Sequence, residues 1–280
     1  MFNIIKTREL NIKEIFEISF NIYKAKLNLI LVYSTIISII TLSFEFSALY
    51  ILGSVYEGSI EHILANSMPF LAGTLISGTM LLVSTDLVLK FIQQREFTGK
   101  DIILVYKLFP KFVLTTILMG LIMIPITFPA IFAMGIYLQT FNFLFFIGSI
   151  IFFIILLRVA VGFVFYTNVM AHRGKWGITS IFESRRLVRD NWGKTFLVIF
   201  VVFLTTIIFL QILMFIVGAF GLPGILQFVF TNFFAGYLSV YAGLTICVLY
   251  FNRYYLMRDE DEIEEEEEEE EFGEGIRDDF

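Results

Sequence analysis

Two charged residues in apolar surroundings carry most of the chemistry that this sequence offers: Asp86, after Val83-Ser84-Thr85, and Arg158, after Leu156-Leu157. A lone charge at the centre of a bilayer costs about 2.5–3.5 kcal/mol on insertion scales, so such a group faces a partner, a ligand or water. If the runs that hold them enter from one side at Met68 and Phe141, the two lie eighteen and seventeen positions in, at similar depth. They can therefore pair. One reading is an anionic headgroup or substrate held by Arg158 and tuned by Asp86; the other is a pair that locks two helices together, or an arginine that snorkels. Glu45 falls nearer the opposite interface, and Cys247, the single cysteine, reads as a buried apolar-like side chain. The sequence shows no phosphate-cradling glycine loop, nucleophile elbow or dinucleotide fingerprint, so neither a catalytic residue nor a cofactor nor a metal is expected.

The elements that must position these charges are set by composition. Of 280 residues, 58% are apolar and 17% aromatic against 16% charged, with 34 Phe and a mean hydropathy of +0.82. A water-soluble single core is excluded. Crossing roughly 30 Å of hydrocarbon takes about 20 helical residues, and six runs are long enough: Leu27 to Leu49, Met68 to Ile92, Phe112 to Met134, Phe141 to Val169, Thr195 to Phe220 and Ile225 to Tyr250. Their unbroken apolarity specifies helices, because a barrel strand alternates over about ten residues. Pro125 and Pro129 are expected to bend or break the third run. Gly73 and Gly78, or Gly236 and Gly243, are candidates for close helix approach. Phenylalanine is read as bulk facing lipid.

Orientation follows from the cations. Lys6 to Lys26, Lys90 to Lys111, Arg173 to Lys194, and Arg253, Arg258 and Arg277 fall on one side of the six runs. The alternate connections, Gly53 to Ser67, Gly135 to Thr140 and Gly221 to Gly224, hold no Lys or Arg. Nineteen of the twenty cations thus lie on one face, which the positive-inside bias makes cytoplasmic, together with both termini. The protein is expected in the cell membrane. Three regions follow: a cytoplasmic amphipathic segment over 1–26, a transmembrane domain over 27–257, and an acidic tail over 258–280. From Asp259 onward fifteen carboxylates face one arginine, giving −14, while residues 1–258 carry +8. The unbroken run Glu264 to Glu271 repels itself and is expected to be disordered.

Each odd-numbered span follows a charged amphipathic stretch that opens like a capping box: Asn11-Ile12-Lys13-Glu14, Thr98-Gly99-Lys100-Asp101 and Ser180-Ile181-Phe182-Glu183. This suggests a repeat of interfacial helix, span, outer loop and returning span, with a period of roughly 80 residues. Such helices turn basic faces to anionic lipid, a job suited to Lys24, Lys26, Lys107, Lys111, Arg186 and Lys194, with Trp176 and Trp192 as interfacial anchors. The alternative is that these cations only set topology.

The stretch Leu156-Leu157-Arg158, then Ala171-His172-Arg173-Gly174-Lys175-Trp176-Gly177, then Ser184, Leu187, Val188 and Trp192, resembles the membrane domain associated with glycerophosphoryl diester phosphodiesterases. The resemblance covers residues 10 to 256. It implies an arginine-bearing fourth span followed by a short turn and a helix, and it implies a fold more than a reaction. The family usually has a Glu before the turn, where Ala171 and His172 stand here. His172-Arg173-Gly174 mimics the opening of the soluble catalytic domain of those enzymes, yet the barrel, the metal-binding carboxylates and the second catalytic histidine have no counterpart. His62, the only other histidine, is expected across the membrane, so His172 reads as a polar residue at the membrane edge.

The functional expectation is a non-enzymatic integral membrane protein that organises membrane lipids or partner proteins at its cytoplasmic face, with cationic partners for the acidic tail and no nucleic acid. Assembly with copies of itself is left open. The alternative is a transporter or permease component built on Asp86 and Arg158.

Overall fold

The computed structural model describes residues 2–52, 73, 78–221 and 223–275. The expected outer loop Gly53 to Ser67, His62 and the first residues of the second run lie outside the described residues. All regular structure among the described residues is helical. The helices are α1 (Phe2–Thr7), α2 (Ile12–Ala25), α3 (Leu27–Leu52), α4 (residues 78–92), α5 (Gly99–Tyr106), α6 (Phe109–Thr140), α7 (Phe143–Gly162), α8 (Tyr166–Arg173), α9 (Ile178–Arg189), α10 (Trp192–Ala219) and α11 (Gly224–Gly275).

Among the described residues, five helical stretches are long and apolar enough to cross a membrane: Leu27–Ala48, Phe109–Thr140, Phe143–Arg173, Trp192–Ala219 and Gly224–Arg258. The chain is thus a polytopic helical membrane protein. The second expected run appears only as α4, which buries Leu82, Val83, Leu87, Val88 and Ile92.

Helix α11 is the hub. It packs against α10, α3, α2, α1 and α9, while α6 pairs with α7 and α8 with α9. The packed core is gathered toward the ends of the helices that carry the cations: Ile15, Ile22, Phe112, Phe165, Met170, Ile181, Val198, Leu244 and Phe251 are all within 2% of full burial. Farther along, Phe128, Phe132, Phe153, Phe203 and Phe215 stand exposed. Apolar surface of that extent is stable only against hydrocarbon or another apolar partner, as expected for lipid-facing phenylalanine.

Several local expectations change. The third run is one continuous helix through Pro125 and Pro129 and on to Thr140, so the connection expected over Gly135 to Thr140 is helical. The turn falls instead at Phe141, which is left-handed (φ 51°), and Asn142, whose Oδ1 accepts from Leu144 N at 3.1 Å to cap α7. The fourth run ends as regular helix at Gly162 and resumes as α8. Helix α11 continues through the glutamate run to Gly275, where sequence alone suggests no regular structure. Glutamate is itself a good helix former, and here the run extends a helix nucleated upstream.

Glycine spacing matters at three of the four candidates. A Cβ on Gly78 would run into the Phe112 ring, one on Gly236 would lie 2.6 Å from Ser38 Oγ, and one on Gly243 would lie 3.2 Å from Ser84 Oγ; one on Gly73 would meet nothing within 4 Å among the described residues.

Candidate functional site

Asp86 and Arg158 are not brought together. Asp86 lies one turn from Lys90 and pairs with it at 3.6 Å, and Lys90 also reaches Asp101 at the start of α5. Equal depth is a one-dimensional match; the nearest cation on the same face of α4 takes the carboxylate. Arg158 is exposed on α7, and its carbonyl accepts a hydrogen bond from Trp192 Nε1 at 3.2 Å. Asp101 also accepts from Thr98 N at 2.7 Å, forming half of the expected capping box. The Lys90 ammonium, followed by the Thr98 amide, holds the Asp101 carboxyl below its ordinary value.

The Asn11 box is complete. Asn11 Oδ1 accepts from Glu14 N at 2.8 Å and Glu14 Oε2 accepts from Asn11 N at 2.9 Å, so two otherwise orphaned donors at the start of α2 are satisfied. Glu14 also pairs with Arg8. The expected box at Ser180 does not form, because α9 already begins at Ile178 and Ser180 bonds back to Gly177 O at 2.8 Å. Two glycines with positive φ, Gly174 (67°) and Gly177 (68°), turn the chain sharply enough to start the helix earlier.

That frees Glu183 for other work. Its carboxylate pairs with Arg173 and with Lys175 at 2.8 Å, closing the turn between α8 and α9. On the other side of α9, Ser184 Oγ donates to Gly162 O at 2.9 Å and accepts from Phe165 N at 2.9 Å, which satisfies the backbone at the interruption between α7 and α8. Gly177 N donates to Thr115 Oγ1 at 2.9 Å, tying the turn to α6. Arg185, Arg186 and Arg189 are left on the exposed face of a helix whose other face buries Ile181, Leu187 and Val188.

The end of α11 completes this surface. His172 Nδ1 lies 3.0 Å from Tyr250 OH, and its ring makes edge contacts with Phe251 and Tyr254 at 5.0 and 4.6 Å. It is a packed polar residue on α8. Asn252, fully buried, donates to Ile5 O and Arg8 O at 2.9 and 2.8 Å and accepts from Leu10 N at 3.0 Å, fastening the segment between α1 and α2 to α11. Glu9 pairs with Lys194 at 2.7 Å, and that ammonium is the largest cause holding the Glu9 carboxyl below its ordinary value. With its amide turned to suit both neighbours, Asn191 donates to Glu9 Oε1 at 3.3 Å and accepts from Arg253 Nη2 at 2.7 Å. Deeper in, Asn168 Nδ2 donates to Thr85 Oγ1 at 2.9 Å and lies 3.1 Å from Cys247 Sγ, so Cys247 is buried as expected but in a polar contact.

Among the expected lipid contacts, Lys24, Lys107, Lys111 and Arg186 are exposed and Lys26 is half-buried. Lys111 Nζ lies 6.0 Å from the centre of the exposed Trp176 ring. Lys194 is committed to Glu9, and Trp192 stacks on Phe196 with centroids 5.2 Å apart. Asn252, Asn168 and Glu9 are not singled out by sequence, and Glu183 only as the acid of a capping box that does not form. For the two asparagines a signal existed, an amide side chain set within an apolar run, which demands buried partners.

Arg173, Glu183, Arg186, Leu187, Tyr254 and Arg258 line a cleft of about 80 Å³ where α8, α9 and α11 meet. Among the described residues, no three His, Cys, Asp or Glu side chains converge to hold a metal ion. No family model, curated protein or solved structure matches the chain. The likeness to the phosphodiesterase-associated membrane domain therefore rests on the residues quoted for it, of which Ser184 and Trp192 have the structural roles just described.

Proposed function

We propose that the chain is a non-enzymatic membrane protein of six spans, with both termini in the cytoplasm, that gathers anionic lipids or acidic partner proteins on its cytoplasmic face. The second span is the apolar run Met68 to Ile92, and the short helices α2, α5 and α9 are interfacial helices that feed α3, α6 and α10. The observation that carries this reading is the arrangement of cations. Nineteen of twenty lie on one side of the runs, and Arg185, Arg186 and Arg189 project from a helix anchored by buried side chains. A cation displayed on a fixed element loses less freedom on binding an anion than one on a loose loop. Each cation near an anionic surface adds on the order of 1 kcal/mol. The permease reading needs Asp86 and Arg158 in one site, and the placement of the two residues gives it no support.

The test has two parts. Single cysteines at residues 60 and 185, in a Cys247→Ser background, are labelled from outside intact cells: residue 60 is expected to react and residue 185 to stay protected until the cells are opened. Lipids co-purifying with the wild type and with the triple variant Arg185→Gln, Arg186→Gln, Arg189→Gln are then compared, with depletion of anionic lipid expected in the variant. Outside labelling of residue 185, or identical lipid profiles, would overturn the reading.

A further inference from the structure

We propose that the groove between α2, α3, α10 and α11 holds one hydrocarbon chain of an anionic membrane lipid, with the lipid headgroup against Lys24 and Lys26. The inference rests on the function proposed above and narrows it from a basic face to one lipid site.

The groove has a volume of about 580 Å³ and is walled by Phe20 and Tyr23 of α2, Leu31 of α3, Phe209 of α10, and Phe234 and Tyr241 of α11. That volume lies within the roughly 300–1,000 Å³ of sites that enclose one small ligand. Four helices contribute, so the concavity is a product of the fold and not of one side chain. Phe20 is 57% exposed and Phe209 43%, so the groove opens sideways to whatever surrounds the protein. Helix α4 packs on the opposite face of α11, where Ser84 Oγ lies 3.2 Å from a Cβ built on Gly243.

The tyrosine hydroxyls of α11 at this groove are engaged within the protein. Tyr241 OH donates to Phe16 O at 3.4 Å, Tyr237 OH lies 3.1 Å from Thr35 Oγ1, and the Tyr23 and Tyr241 rings meet edge to face with centroids 5.9 Å apart. These contacts hold the rings in place and leave mainly ring and aliphatic carbon facing the groove. Within a bilayer such a groove gains nothing from hiding apolar surface, because the surrounding lipid chains are equally apolar. Retention of one lipid must come from close dispersion contact with fixed walls and from charge at the headgroup.

The charge lies at the matching depth. Lys24 and Lys26 stand at the junction of α2 and α3, between the wall residues Tyr23 and Leu31 and directly before the apolar stretch Leu27–Ala48. Hydrocarbon gives way to headgroups at such a boundary. From Tyr241 to Phe234 the groove runs along α11 for about 10 Å, away from the part of that helix that carries Arg253 and Arg258. Lys24 is exposed and Lys26 half-buried, and among the described residues neither has an acidic partner. Glu17, the acid nearest to Lys24 in sequence, is paired with Lys13 at 3.6 Å. An anionic lipid therefore meets two cations that no carboxylate engages, whereas a second copy of the chain would bring the same cations against them.

The full chain, purified in detergent, is mixed with phosphatidylglycerol or phosphatidylcholine bearing the same diazirine-tagged chain and irradiated, and the adducts are mapped by peptide mass spectrometry. Phosphatidylglycerol adducts are expected to concentrate on residues 20–31 and 234–241. Lys24→Gln with Lys26→Gln should lower the preference for phosphatidylglycerol at these segments roughly tenfold, the order expected for two cations at an anionic headgroup. Lys24→Arg with Lys26→Arg should keep it, which separates charge from folding. Leu238→Trp, at a wall position, should fill the groove and remove adducts there for both lipids, whereas Phe203→Trp, exposed on α10 outside the groove, should not. Adducts spread evenly over the apolar stretches, or equal labelling of the groove by both lipids in the wild type, overturn the site. A dimer in native mass spectra that Leu238→Trp dissociates gives the groove to a second copy and overturns it as well. If the groove fails while the Arg185, Arg186 and Arg189 variant still loses co-purifying anionic lipid, the broader function stands without it; if that loss is absent too, both fail.

Discussion

At the scale of single residues, the informative side chains are those that close gaps in the backbone. Ser184 is the clearest case. The helix from Phe143 stops at Gly162, and Ser184, on a different helix, satisfies both Gly162 O and Phe165 N. Replacing it by alanine strands two buried backbone groups, at about 1–3 kcal/mol for an unsatisfied group. Ser184→Ala is therefore expected to lower thermal stability in detergent measurably, whereas Thr179→Ala, at an exposed position on the same helix, should not; equal melting curves for the two would remove the structural role given to Ser184. This residue entered the sequence reading only through its match to a family pattern, and its partners lie nineteen and twenty-two positions away. No local periodicity encodes that contact. Asp86 shows the opposite case: the residue stands out in the sequence, but depth alone does not say that Lys90, one turn along, is its partner.

At the scale of elements, five of the six apolar runs were legible because membrane spans are written in continuous composition, and α6 and α10 begin only three residues before the runs that predict them. Starts set by neighbouring residues were also legible, as the reciprocal bonds of Asn11 and Glu14 show. The start of α9 was not, because the two positive-φ glycines upstream override a box that the letters alone propose. Helix proximity was partly legible, since small residues mark where backbones can approach but not which ones do. Gly78 faces Phe112, which is fully buried and stacked against Tyr166 with centroids 6.3 Å apart, so the ring cannot swing away freely. Gly78→Ala is expected to destabilise by about 1–3 kcal/mol through overpacking. Gly120→Ala, with nothing among the described residues within 4 Å, should be neutral or slightly stabilising by helix propensity. Thermal denaturation of both variants checks this, and Phe112→Leu in the Gly78→Ala background should restore part of the loss if the clash is its cause.

At the scale of the whole molecule, two charge distributions of opposite sign share one chain. Residues 1–258 carry +8 and residues 259–280 carry −14, and Asp259 directly follows the arginine that ends the last apolar stretch. The buried side chains that hold α11 in place, from Leu244 through Phe251 and Asn252, all precede that boundary. Among the described residues the packing that anchors α11 thus precedes the acidic run, and the run is expected to act electrostatically. Removing residues 259–280 is accordingly expected to leave membrane integration unchanged, as judged by resistance to alkaline extraction. It should also strengthen association of the reconstituted protein with vesicles containing phosphatidic acid at low salt. That difference should shrink as salt rises, because the screening length falls from about 10 Å at 0.1 M to about 3 Å at 1 M. A truncated chain that no longer enters the membrane would place the acidic run in the fold itself, and a vesicle affinity unchanged at low salt would show that it does not screen the basic face. The predicted combination, intact insertion with a salt-dependent gain, follows only if the cations bind anions in trans and the tail competes with them in cis.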